Sequence, residues 1–191
     1  TNFSAGDPVR DYPSSRGALV ADFLGAQCSA EEYVTNLEGQ SYAGFNLLVF
    51  DGESLCYTNN KGFASEQLPA GNYGLSNAEL SSGWPKAMDG AAELGALVNQ
   101  DSAATAVAGP TIPALLGILA DRTPPADHRL PDRHHLHDMP IESRRALAAR
   151  FIAGGDYGTR AMTLLRFTTR HTDVYEQQIG PNGLRGEAVF A

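Results

Sequence analysis

The chain has 191 residues, 42% hydrophobic and 19% charged, a composition that supports a folded core and excludes intrinsic disorder as the default state. A net charge of −8 and a pI near 5.0, with no basic run, exclude the non-specific phosphate-backbone binding on which basic nucleic-acid proteins rely. Two cysteines, Cys28 and Cys56, are too few for a disulfide framework. The longest apolar runs, FNLLVF and IPALLGILA, fall short of the ~18 residues that span a membrane.

At this length one domain over residues 1–191 is expected, with no linker and no internal repeat. No basic segment followed by an apolar core opens the chain, so no secretory signal is expected. The first residue is Thr1, not Met. Two explanations compete for it: a fragment or processed product, or an exposed N-terminal nucleophile.

In chain order, SSRGALVADFLG spaces Leu19, Val20, Phe23 and Leu24 for one face of a short helix closed by Gly25. In SAEEYVTNLEGQ, Ser29 and Glu32 form a capping-box pattern, which predicts a second short helix. The period then changes. Phe45, Leu47 and Val49 alternate with Asn46, Leu48 and Phe50, Asp51-Gly52 turns, and SLCYTN returns: a hairpin, with Cys56 a small buried hydrophobe.

ASEQLPAGNYGLSNAEL predicts a short strand, a turn, and a strand ending near Leu75. Helices are expected from Pro85, a favoured first position, and again over IPALLGILADR. Residues 123–141 hold four of the five histidines and read as a loop. ESRRALAARFI predicts one more helix. TRAMTLLRFTT, DVYEQQIGPNG and RGEAVF predict the last antiparallel strands, with a turn at Pro181-Asn182-Gly183. Strands towards both ends with helices between them make an α+β domain.

Chemistry is sparse. His134, His135 and His137, with Asp132 and Asp138, have the right residue types for a transition metal. Adjacent histidines share one tetrahedral centre poorly, however, and loop histidines at this density are more often solvated; no metal is expected. GGDYGTR lacks a Gly-Lys-Ser/Thr ending, and no Gly-x-Ser-x-Gly elbow occurs. Three polar residues stand where strands meet turns: Asn2, Asn77 and Arg160. Asparagine amides donate to a developing oxyanion and a guanidinium holds an anion bidentately, although turn formation and solvation are the plainer roles of both.

The succession TNF, SSRGALVADFL, YAGFNLLVFD, YGLSNAELSSGWPK and DYGTRAMTLL resembles the NRDE family, also called transport and Golgi organisation protein 2, along essentially the whole chain. That resemblance implies an N-terminal-nucleophile-hydrolase-like αββα sandwich, antiparallel sheets between helix layers. The family's usual Met-Cys opening and its Asn-Arg-Asp-Glu signature are absent, so the resemblance implies an N-terminally incomplete domain, the C-terminal two-thirds to three-quarters. Unpaired sheet edges are then expected, the chain being either a fragment or one half of a domain completed by a separate N-terminal partner chain.

By similarity to related cysteine hydrolases acting on C–N amide bonds, Asn2 is identified as an oxyanion donor. Asn77 matches the asparagine that positions the terminal amine and the attacked carbonyl. Arg160 matches the late arginine that holds a carboxylate or an anionic substrate. Arg16, Trp84 and Tyr157 are further ligand-contact candidates. Trp84 and Pro85 also read as seating the central helix, with Lys86 exposed in its first turn.

The alternative the resemblance carries is a non-catalytic haem or acyl-CoA/lipid carrier, with no resident cofactor and haem only as cargo. Arg160 and Arg16 would form its basic lip. Family members are linked to haem trafficking and lipid metabolism, and a cytoplasmic location is expected, with no nucleic-acid partner and no transmembrane segment. Thr1 as the nucleophile of a processed hydrolase is the second alternative.

Overall fold

Ser15 and Ser29 each end an extended stretch and start a helix, Arg16–Gly25 (α1) and Ala30–Thr35 (α2). Each serine Oγ accepts a first-turn amide, from Gly17 at 3.3 Å and from Glu32 at 3.1 Å, and so satisfies a donor with no intrahelical partner. Glu31 and Glu32 in the first turn complement the positive end of the α2 dipole. The apolar stripe of α1 is narrower than its spacing suggests. Leu19 is buried and Phe23 packs beside it, whereas Val20 and Leu24 face solvent.

The computed structural model describes residues 2–3, 11–62, 65–103, 109–130, 132 and 138–190. They belong to two compact units, Thr1–Gly71 with Leu75–Ser82, and Asn72–Gly74 with Gly83–Ala191. The predicted histidine cluster at 134, 135 and 137 and the Thr1 nucleophile lie outside the described residues.

In the first unit the predicted hairpin forms. Asn46–Phe50 (β1) pairs antiparallel with Leu55–Asn59 (β2), from Asn46 opposite Asn59 to Phe50 opposite Leu55. Gly52 takes φ +101° in the turn, and Asp51 Oδ1 accepts the amides of Glu53 and Ser54 at 2.9 and 2.8 Å. One face of the pair carries Phe45, Leu47, Val49 and Cys56, which pack with Leu19, Ala30 and Val34 into the core beneath α1 and α2. Cys56 is fully buried, as its alternation implies. The opposite face is polar: Asn46, Tyr57 and Asn59, with Leu48 exposed.

Glu66–Gln67 (β3) adds two residues to the β2 edge. The strand expected to end near Leu75 does not form; residues 72–76 are irregular. Gly74 lies against the first turn of the next helix, where any side chain would overlap the Ala87 carbonyl. Close packing against a helix, not strand alternation, shapes that stretch.

The second unit starts with Pro85–Ala103 (α3), followed by Ile112–Leu119 (α4) and Ile141–Ala148 (α5). Thr111 caps α4, and Pro113 occupies its first turn. Three strands close the chain: Ala161–Phe167 (β4), Thr172–Ile179 (β5) and Arg185–Phe190 (β6), in antiparallel order β4-β5-β6. The predicted Pro181–Gly183 turn joins the last two, with Asn182 at φ 57°, a value asparagine tolerates better than most residues. Met162, Ile179 and Phe151 form the inner core, with Leu116 and Ala120 packed against it. On the other face Leu165, Phe167 and Val189 are 54%, 54% and 58% exposed.

Candidate functional site

In the first unit the start of β1 gathers polar groups. Asn2 bridges Phe45 antiparallel, and Phe3 N donates to Gly44 O at 3.0 Å. Arg16 Nη1 donates to the same carbonyl at 3.0 Å, so this guanidinium braces the entry to β1. Asn46, the next residue, is 2% exposed, and its Nδ2 donates to Ala78 O at 2.9 Å. Its Oδ1 accepts the Tyr57 hydroxyl at 2.7 Å.

Tyr57 is fully buried, and its hydroxyl also accepts from Asn59 Nδ2 at 3.0 Å and Leu80 N at 3.1 Å. One donor and two lone pairs are thereby used in full. Asn46 and Tyr57 together grip the backbone at Ala78 and Leu80, directly after Asn77. Asn77 itself accepts from Ser76 Oγ at 3.3 Å. Asn2 and Asn77, expected from sequence to act together, are therefore both tied to the first residues of β1. Sequence reasoning placed Asn46 on the hairpin strand but missed Tyr57 and Asn59 as its partners. The available signal was three polar-headed residues on one face of an otherwise apolar hairpin.

In the second unit the loop 152–160 delivers Arg160 to the first residue of β4. Ile152 N donates to Thr159 Oγ1 at 2.9 Å, and Thr159 N to Ile152 O at 2.8 Å, pinching the loop shut. The glycines of AGGDYGTR serve this closure. A side chain on Gly154 would overlap the Tyr157 carbonyl, and one on Gly158 would come within 2.8 Å of Ile152 O. Arg160 O accepts Ile179 N at 2.8 Å, so its backbone joins the sheet while its side chain stays exposed. Among the described residues the Arg160 guanidinium has no hydrogen-bond or ion-pair partner. Tyr157, 68% exposed, sits at the tip of the same loop.

Trp84 is buried at the start of α3, and its carbonyl accepts the Ala87 and Met88 amides. Lys86 departs from its expected exposure. Its Nζ donates to Leu147 O at 3.0 Å and lies 5.1 Å from the Trp84 ring centroid, and burial pulls its pKa below the usual lysine value. Burial, with Glu31 and Asp51 nearby, pushes the Cys56 thiol up, away from nucleophilic use. Among the described residues no three His, Cys, Asp or Glu side chains group to hold a metal ion. Among them, too, no helix is long and apolar enough to cross a membrane.

Antiparallel sheets flanked by helices, with asparagines tied to one strand end and an exposed arginine at the mouth of another strand, place the chain among mixed α/β proteins with polar groups displayed at strand ends. The chain belongs to the Transport and Golgi organisation 2 family, whose family model matches residues 1–181. It is 32% identical over 165 residues to the Transport and Golgi organization protein 2 homolog of Bos taurus, covering 78% of this chain and 56% of that protein. It is 30% identical over 159 residues to the Transport and Golgi organization 2 homolog of Mus musculus, with the same coverages. To the homolog of Homo sapiens it is 38% identical over 88 residues, 41% of this chain and 32% of that protein. The chain thus spans little more than half the length of the bovine and mouse relatives it matches.

Proposed function

We propose that this chain carries the oxyanion- and anion-binding part of an amide or acyl hydrolase of the N-terminal cysteine type, without supplying the nucleophile. On the first unit Asn2 donates to the oxyanion and Asn77 positions the attacked carbonyl; on the second, Arg160 binds an anionic group. The observation that carries this is the joint anchoring of Asn2 and Asn77 at the start of β1, through the Phe45 bridge and the Asn46–Ala78 hydrogen bond. Preset donors of this kind stabilise a tetrahedral intermediate because they need no reorganisation when its charge develops.

The αββα sandwich belongs to the same proposal. It is supported by two three-stranded antiparallel sheets, β1 and β2 packed with α1 and α2, and β4 with α4. A cytoplasmic place of action follows from the resemblance alone.

The experiment is to purify the native protein from its source and measure its intact mass, its N-terminal residue and acyl-amide turnover. A cysteine at the N-terminus is expected, with thiol alkylation abolishing turnover. Asn77→Ala should lower kcat by about 10²–10³ at unchanged KM. Turnover by the 191-residue chain alone, or a native amino terminus without a thiol, overturns the proposal.

One observation favours carriage instead: Arg160 is exposed beside Tyr157 with its guanidinium free of described partners. In a carrier it would take an acyl-CoA phosphate or a haem propionate. Saturable binding of either by the native protein, abolished by Arg160→Ala and without turnover, distinguishes that function.

A further inference from the structure

The second unit contains a cleft of about 260 Å3 lined by α3, the stretch from Asp121 to Ala126, Arg129 and the Ala148–Arg150 turn after α5. Three carboxylates and three cations line it. Asp89 is held by both Nη atoms of Arg129, at 2.7 and 3.0 Å. Glu93 and Asp121 both bind Arg150 Nη2, at 2.9 and 2.6 Å. Every lining carboxylate is thus committed to an arginine, and one cation is left over, Lys86.

The partners of the Lys86 ammonium are a neutral carbonyl, Leu147 O, and the face of Trp84. Its depressed pKa has burial as its cause, with no carboxylate raising it. It also stands in the first turn of α3, which has no acidic residue and whose dipole disfavours a cation. An ammonium so placed, on the wall of an open cleft, has no anionic partner among the described residues.

We propose that this cleft binds a small organic anion whose carboxylate or phosphate takes the Lys86 ammonium. The volume lies just under the range of ~300–1,000 Å3 typical of drug-sized ligands, which suits an anion the size of benzoate or phenyl phosphate. Asn2, Asn77 and Arg160 take no part, so this site stands or falls separately from the acyl chemistry.

Lys61 and Lys86 are the only lysines in the chain, which makes a direct test available. In the full chain labelled with 13C,15N-lysine, the two Nζ resonances are followed through the ε-methylene protons. Phenyl phosphate, benzoate and chloride are added separately at matched ionic strength. Lys86 Nζ should move saturably while Lys61 stays in place. Saturation by phenyl phosphate alone identifies a phosphate ligand, and by benzoate alone a carboxylate.

Lys86→Gln, with its folding checked by its amide spectrum, should weaken binding by about tenfold or more through loss of a charge-assisted hydrogen bond. The wild-type titration stands without that variant. A Lys86 resonance that stays fixed, or that follows chloride as it follows the organic anions, overturns the proposal.

Discussion

Tyr57 concentrates the residue-scale physics of the first unit. Its hydroxyl joins Asn46, Asn59 and the Leu80 amide in a fully buried setting, so removing one oxygen takes a hydrogen bond from each of three groups. Tyr57→Phe should cost about 1–3 kcal/mol, read from the urea midpoint, because buried groups lose solvation without replacement. Loss of under half that amount would show that water enters and satisfies the site. Arg160 is the opposite case. Its side chain is exposed and free of described partners, so Arg160→Ala should change stability by no more than about 0.5 kcal/mol while removing the acyl-CoA or haem-propionate binding proposed for it. A large drop in Tm would give Arg160 a structural role and remove the rationale for its placement.

Asp51 couples elements. It lies in the β1–β2 turn, yet its Oδ2 accepts the Ala30 amide at the start of α2 at 2.8 Å. The amides of Ala30, Ser54 and Glu53 hold its carboxyl at about 2, below the ordinary 3.8. A carboxylate with a depressed folded pKa contributes stability that is complete above its unfolded pKa and is lost as pH falls through its folded one. Asp51→Asn should therefore lower Tm at neutral pH, with the gap to wild type closing between about pH 4 and pH 2. A gap that stays constant with pH would show that the charge is irrelevant.

The 152–160 loop makes a similar point through sterics. Gly154→Ala and Gly158→Ala force the backbone open against Tyr157 O and Ile152 O. Each should destabilise the second unit, by more than the ~1 kcal/mol typical of a point mutant. Hydrogen exchange at the Thr159 and Ile179 amides reads that opening, and unchanged protection would contradict it.

At the scale of the molecule, the outer face of β4-β5-β6 presents Leu165, Phe167 and Val189 to solvent. The chain matches just 56% of the length of its bovine relative. Exposed large apolar side chains on one sheet face favour association, so the isolated chain should sediment as concentration-dependent oligomers. Leu165→Lys with Phe167→Lys should shift it towards monomer, whereas a monomeric wild type with a sharp, reversible unfolding transition would refute this.

Local signals were legible in the residues themselves. Ser29 with Glu32, Asp51-Gly52, Pro85 and Pro181-Asn182-Gly183 each act on backbone a few residues away, so adjacent side chains suffice to set them. The Arg160 position was legible for the same reason, since the glycines that close its loop are its neighbours. The stretch near Leu75 was misread as a strand because Gly74 is shaped by the distant Ala87, and Lys86 was misplaced because Leu147 and Trp84 enclose it.

Tyr57 and Asn59 looked like ordinary strand residues until Ala78 and Leu80 closed over them. By itself the sequence determined the helix starts, the hairpins, the family and the strand-end positions of Asn2 and Arg160, whereas the strand expected before Asn77 does not form. Only the tertiary structure brought Asn2 and Asn77 to one strand end and enclosed Lys86. Such contacts link residues dozens of positions apart, and the entropy of closing those loops is offset only when the whole core is buried at once.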